Sequence, residues 1–248
     1  MVRVSHVLLA AALVGAPAFA QSLTTTFNLN GSADGMMFDL TARKTIQLTG
    51  FDYHPRGGGP GIFNTIEVYY VSDRSTYEGK ESDPELWTLL GRETVETVAY
   101  PPATHVDIGG LILYAGETIG IYFTEINVAP TSIARTAGPL GVFENDDLIF
   151  EDRGAAIFYP FASVFTPRVW NGTIHYEDLS YFGAGDMNCD GAFNGADIDP
   201  FFMALADPAK YVARYSHCYL FLADMNRDGR VNGADIDPFF ACLAGNCP

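Results

Sequence analysis

Oxygen-bearing side chains crowd two twelve-residue stretches near the C-terminal end of this chain, at a spacing suited to holding a hard divalent cation. The first runs Asp186-Met187-Asn188-Cys189-Asp190-Gly191-Ala192-Phe193-Asn194-Gly195-Ala196-Asp197. The second, 38 residues later, runs Asp224-Met225-Asn226-Arg227-Asp228-Gly229-Arg230-Val231-Asn232-Gly233-Ala234-Asp235. In both, oxygens fall at positions 1, 3, 5, 9 and 12 and glycine falls at position 6. Calcium takes roughly six to eight oxygen ligands in a flexible shell wrapped around a sharp central turn. Asp186/Asp224, Asn188/Asn226 and Asp190/Asp228 are the expected inward ligands, and Gly191/Gly229 permits the turn. Position 7 (Ala192, Arg230) needs only its carbonyl. Asn194/Asn232 reaches the ion directly or through water, and Asp197/Asp235 closes the shell. Two Ca²⁺ ions are the expected cofactors.

Position 8 carries Phe193 or Val231, apolar anchors expected to let the loops pair back to back over a small core. The segment Gly-Ala-Asp-Ile-Asp-Pro-Phe-Phe recurs letter for letter at 195–202 and 233–240. Asp199 and Asp237 within it are expected to be helix N-caps, with Pro at the first helical position, rather than ligands.

A duplicated D-x-N-x-D-G-x-φ-N-x-x-D, each copy followed by a short helix, resembles a type I dockerin, including Asp rather than Glu at position 12. The resemblance covers about 184–246. It implies a small calcium-folded module, its halves related by near two-fold symmetry, that docks an exported protein to a cohesin-like or cell-surface partner. Cellulosomal dockerins carry a Ser-Thr pair at positions 10 and 11. Here those positions hold Gly195-Ala196 and Gly233-Ala234, which speaks against a cellulosomal-type cohesin.

The elements that must position these loops follow from the rest of the chain. Residues 1–20 read as a signal peptide, with Arg3 before a short apolar run from Val7 to Val14 and an Ala18-Phe19-Ala20 cleavage motif, so the protein is expected to be secreted or at the cell surface, with cleavage near Ala20/Gln21. No stretch approaches the roughly 20 apolar residues of a membrane span, so no membrane insertion is expected. All four cysteines (Cys189, Cys218, Cys242, Cys247) lie in the C-terminal module. In an exported protein this suggests two disulfides among three pairings, with Cys189–Cys218 and Cys242–Cys247 favoured; absence of C-x-x-C spacing argues against zinc there. The net charge is −16. Residues 186–248 hold nine acids against four Lys/Arg, a balance two calcium ions would nearly neutralise, while the strongly acidic remainder argues against nucleic acid and anionic membrane as partners.

Residues 21–182 form the expected first domain and 184–248 the second, joined by a minimal Gly183-Ala184-Gly185 linker. The first reads as mainly β, a sandwich of jelly-roll type, with its clearest strands at 45–54, 65–71, 85–91, 104–108, 118–124 and 169–176. The run 45–52 alternates apolar and polar, as a strand with one wet face should, and Ile119, Ile121 and Phe123 repeat the pattern. The fold class is thus a β-sandwich followed by a small α-helical dockerin-like domain with paired EF-hand-type loops. Segments 35–40, 87–91 and 165–176 resemble a domain recurring in exported bacterial β-sandwich proteins, a resemblance that carries no activity.

No G-x-S-x-G, H-E-x-x-H or phosphate-binding glycine loop occurs, and His54, His105, His175 and His217 stand far apart in sequence. Catalytic residues are therefore assigned to none. Acid pairs Asp146-Asp147 and Glu151-Asp152 point opposite ways on a strand, whereas a glycosidase needs two carboxyls facing one bond. Tyr69, Tyr70, Tyr77, Trp87, Tyr100, Tyr122, Tyr159 and Trp170 could stack against sugar rings or simply fill the sheets. Asn30-Gly31-Ser32 and Asn171-Gly172-Thr173 match the N-glycosylation pattern. The expected function is a noncatalytic adaptor or binding protein with carbohydrate as the candidate ligand of its sandwich. The alternative is a dockerin-anchored polysaccharide-degrading glycoside hydrolase.

Overall fold

A computed structural model of the chain describes residues 20–27, 30–99, 101–126, 131–137 and 141–247. The expected signal segment (but for the backbone of Ala20) and Tyr100 lie outside the described residues. Three antiparallel sheets dominate, followed by short helices. The larger main sheet runs, edge to edge, Val142–Glu144, Leu148–Ile157, Gly35–Ala42, Thr118–Glu125, Phe63–Val71 and Trp87–Glu96. The smaller runs Ala20–Thr24, Gly172–Asp178, Ile46–Tyr53 and Thr104–Val106. A third, minor sheet centres on Ser132–Thr136.

The alternation of side chains makes the two main sheets a sandwich. On Gly35–Ala42, Met36, Phe38, Leu40 and Ala42 face the inter-sheet core, and on Thr118–Glu125 so do Ile119, Ile121 and Phe123. Opposite them lie Ile46, Leu48, Phe51, Tyr53, Ile174 and Tyr176 of the smaller sheet. Trp170 is fully buried between the layers, stacked on Phe38 at 5.2 Å and edge-on to Phe51 at 6.1 Å. Each such large side chain contributes about 1.5–3 kcal/mol by leaving water. A second cluster (Met37, Val71, Tyr77, Trp87, Tyr122, Ala155, Ile157) covers the outer face of the larger sheet.

The expected simple alternation along 45–52 does not hold. Core positions are Ile46 and Leu48, then Phe51 and Tyr53. His175 pairs with Gly50 while Tyr176 pairs with Leu48, so Thr49 is an extra residue, a β-bulge. One inserted residue flips every later side chain to the other face, and this puts Gly50 and Asp52 on the outside.

The C-terminal part has its own core of Met187, Phe201, Ala204, Tyr211, Leu222, Met225 and Phe239. It carries helices α1 (Ile198–Ala206), α2 (Pro208–Arg214) and α3 (Ile236–Leu243). Equivalent residues of the two copies meet here: Phe201 and Phe239 stack at 4.0 Å with planes 15° apart. Disulfides Cys189–Cys218 and Cys242–Cys247 are both formed. The first ties one acidic loop to the segment that leads into the other. Among the described residues no helix is long and apolar enough to cross a membrane.

Candidate metal centre

Both acidic stretches curl into cups with matching hydrogen bonds. At position 1, Asp186 accepts from the backbone N–H of Asp190 at 3.2 Å and of Gly191 at 2.9 Å; Asp224 accepts from Asp228 at 3.1 Å and Gly229 at 2.8 Å. Asn188 and Asn226 accept from the amide two residues on, at 2.9 and 3.0 Å. At position 12, Asp197 accepts from the N–H groups of Asn188 at 3.1 Å and Asn194 at 2.8 Å. Asp235 takes the corresponding bonds from Asn226 at 3.2 Å and Asn232 at 2.9 Å. These bonds fold each loop back on itself; among the described residues, neither Asp186, Asp190 and Asp197 nor Asp224, Asp228 and Asp235 bring three carboxylate oxygens within 4.8 Å of one another. Gly191 and Gly229 have φ of +89° and +83°, which glycine adopts without steric penalty. Position 4 is also left-handed in both loops, with Cys189 at 54° and Arg227 at 59°.

The helix starts differ from expectation. Asn194 and Asn232, not Asp199 and Asp237, are the capping residues, each accepting from the amide two residues on at 2.9 Å and completing a capping box with Asp197 or Asp235. A single 3₁₀ turn then precedes α1 and α3, so the helical path begins before the proline and places Asp199 and Asp237 within the first turn. The position-9 oxygen is therefore partly engaged as a cap. This matches a ligand that meets an ion through water. Phe193 packs edge-on against Phe239 at 5.1 Å, and neither Phe193 nor Val231 lies in a β-bridge, so the loops share a core without pairing as strands.

Charge balance tests whether a cation fits. Asp186 and Asp224 are buried, and Asp197 and Asp235 are fully so. Among the described residues no Lys or Arg pairs with any of these four. Buried carboxylates without a counter-charge are costly, and each loop adds a further carboxylate, Asp190 or Asp228, at its exposed rim. The donor set is entirely oxygen, which suits calcium over softer metals.

The second cup is also held from outside. The Tyr114 hydroxyl, from the sandwich, donates to Asp224 Oδ2. Burial pushes Asp224 above the usual carboxylate range, the first cause among several. Arg74 sits 5.6 Å over one side of the Tyr114 ring and is itself bound to Glu117 at 2.6 Å, while Arg227 lies 6.0 Å from the ring centre. Gly185 N–H, in the linker, donates to Leu222 at 2.9 Å. None of this was visible in the sequence, because Tyr114 and Asp224 are 110 residues apart.

The sandwich offers little to a sugar or to hydrolytic chemistry. Of the aromatic candidates, Tyr77, Trp87, Tyr122 and Trp170 are buried filler, leaving Tyr69, Tyr70 and Tyr159 partly exposed. Asn171 is fully buried and accepts from Thr136 at 3.0 Å, so it cannot be a glycan acceptor. The carboxyl most like a general acid is Glu125, which burial pushes up to about 8. It is sealed inside, bonded by Asn64 at 2.8 Å and Thr131 at 3.1 Å. The other fully buried acid nearby, Glu67, is paired to Arg92 and bonded by Tyr69 at 2.7 Å. Glu125 lies opposite Ile66 of the inter-sheet core, and Glu67 is one residue further along that strand. They therefore point to opposite faces and cannot flank one bond. His105 and His175, far apart in the sequence, do come together with Asp52 on the outer face of the smaller sheet.

Compared with known proteins, the chain matches no family model and no curated sequence.

Proposed function

We propose that this protein is an exported, noncatalytic adaptor: a β-sandwich of jelly-roll type joined to a dockerin-like module that binds two Ca²⁺ ions and docks to a cohesin-like or cell-surface partner. The observation that carries this is the repeated acidic loop, with Asp197 and Asp235 fully buried and, among the described residues, unpaired to any basic side chain. Asp186, Asn188, Asp190, Asp197 and the carbonyl of Ala192 would hold one ion, with Asn194 at one remove. Asp224, Asn226, Asp228, Asp235 and the carbonyl of Arg230 would hold the other, with Asn232 in the matching place.

A bound ion supplies the positive charge that lets these carboxylates remain buried, so its binding is also folding energy. The protein's own part is to curl the backbone, through Gly191 and Gly229, and to anchor each cup on a short helix. The near-symmetric helices α1 and α3 leave Phe202 and Phe240 exposed, 6.2 Å apart, on one surface. That pair is the natural centre of a docking face, since aromatic anchors dominate interface energetics. Carbohydrate remains the candidate ligand of the sandwich, its partly exposed rings now narrowed to Tyr69 and Tyr159, since Tyr70 packs against the inter-sheet core. The hydrolase alternative finds no support in the placement of Glu67 and Glu125.

Circular dichroism with and without chelator tests the folding half of the proposal. Capture of a partner from the native envelope fraction, in calcium and in chelator, tests the docking half. Unchanged spectra on chelation would overturn the first, and capture insensitive to calcium the second.

A further inference from the structure

Asp52, His105 and His175 stand on three neighbouring strands of the smaller sheet, apart from the acidic loops. His105 is the register partner of Asp52, and His175 is the partner of Gly50. The bulge at Thr49 turns Gly50 and Asp52 to the same outer face. His105 Nδ1 lies 2.7 Å from Asp52 Oδ1, and His175 Nε2 lies 2.9 Å from Asp52 Oδ2. One potential ligand atom from each residue falls within 4.8 Å of the other two. Gly50 makes the arrangement possible: a Cβ there would come within 3.0 Å of His105 Cε1 and 2.9 Å of the Val106 carbonyl.

Ordinary ion pairing explains only half of this geometry. The His105–Asp52 contact is an aligned hydrogen bond. The His175 contact is not: Nε2 is buried and close to the carboxylate, yet makes no aligned hydrogen bond within the described residues. Two imidazoles and a carboxylate converging on one point form the donor set of a three-ligand site with open positions.

We propose that Asp52, His105 and His175 bind one divalent transition-metal ion of the zinc class, with the remaining coordination positions open to solvent. Ligands about 2.0–2.1 Å from such an ion sit roughly 3.3 Å from one another in a tetrahedron. The 2.7 and 2.9 Å pairs then need to open only modestly, and partial exposure of all three side chains leaves room for the imidazoles to swing. The ion takes the place of the proton shared with Asp52, which leaves to water or moves to the outer ring nitrogen. Nitrogen donors separate this site from the all-oxygen loops, so calcium and zinc do not compete for it.

The test uses untagged, full-length protein, stripped with chelator and then saturated with calcium to fill the loops. Calorimetric titration with Zn²⁺ is expected to show one ion per chain. Co²⁺ is expected to give the ligand-field absorption of a low-coordinate nitrogen–oxygen site. His105→Ala and Asp52→Asn should each weaken zinc by ~100-fold or more, a loss at least as large as that for removing an outer-shell partner. Calcium stoichiometry and the circular dichroism spectrum should not change, and His217→Ala should bind zinc as the native chain does. No zinc binding in calcium, or binding by the His105→Ala and His175→Ala variants as tight as that of the native chain, would overturn the proposal and leave two His–Asp contacts that merely tie strands together.

Discussion

Glu125→Gln separates a structural neutral carboxyl from a catalytic one. Glu125 is fully buried, and burial raises it from an ordinary 4.5 to about 8. Because the folded state holds the proton more tightly than the unfolded chain, its stabilising contribution is complete below pH ~4.5 and declines as pH rises toward about 8. Each pH unit in that window costs about 1.4 kcal/mol, so deprotonation removes up to about 5 kcal/mol across it. Glutamine has the same shape, keeps an oxygen for Asn64 and Thr131, and cannot ionise. Stability of native and variant chains, measured by urea unfolding in saturating calcium at a series of pH values from 5 to 9 (about four units), isolates this group, since other titrations cancel in the difference. The variant should gain on the native chain steadily as pH rises and be the more stable at the alkaline end. A difference that does not vary with pH would refute the reasoning. Loss of a glycan-hydrolysing activity in the variant would instead favour the hydrolase alternative.

Other expectations are more local. Asp186→Ala or Asp224→Ala should reduce calcium from two ions to one and loosen the adjoining helix, read by calorimetry and amide exchange; unaltered stoichiometry would count against the ligand assignment. Tyr114→Phe removes a hydrogen bond to a charged group, worth about 1.5–3 kcal/mol; it should increase proteolysis at the 183–185 linker while leaving loop one untouched. Selective reduction of Cys189–Cys218, which spans 29 residues, should lower stability by roughly 3–4 kcal/mol in a denaturant melt. Trp170→Ala should cost about 3–5 kcal/mol, because its cavity would open between two sheets that meet on that ring.

The two acidic loops were legible as turns because their Asp, Asn and Gly residues are consecutive and recur 38 residues later. The strands centred on Leu48, Val68 and Ile121 were legible from β-branched and aromatic runs. What failed did so for identifiable reasons. A bulge at Thr49 changed the phase of a strand read as alternating, and the sequence carries the mark, since apolar Ile46 and Leu48 are followed by Phe51 and Tyr53, three residues on rather than two. Asn194 and Asn232 outcompeted Asp199 and Asp237 as caps because the loop delivers them to the helix entrance first. Trp87 and Trp170 look the same in sequence whether they stack on sugar or pack against Tyr122 and Phe38. Asp52, His105 and His175, and likewise Tyr114 with Asp224, are juxtaposed only by strand register and domain contact, for which no local pattern exists.

Calcium titration of chelator-stripped protein, with Asp197→Asn and Asp235→Asn beside the native chain, bears most directly on the account. Two ions should bind the native chain and one should bind each variant, because each substitution removes the fully buried charge that closes one cup. Absence of calcium binding to the native chain, or full occupancy in both variants, would contradict it.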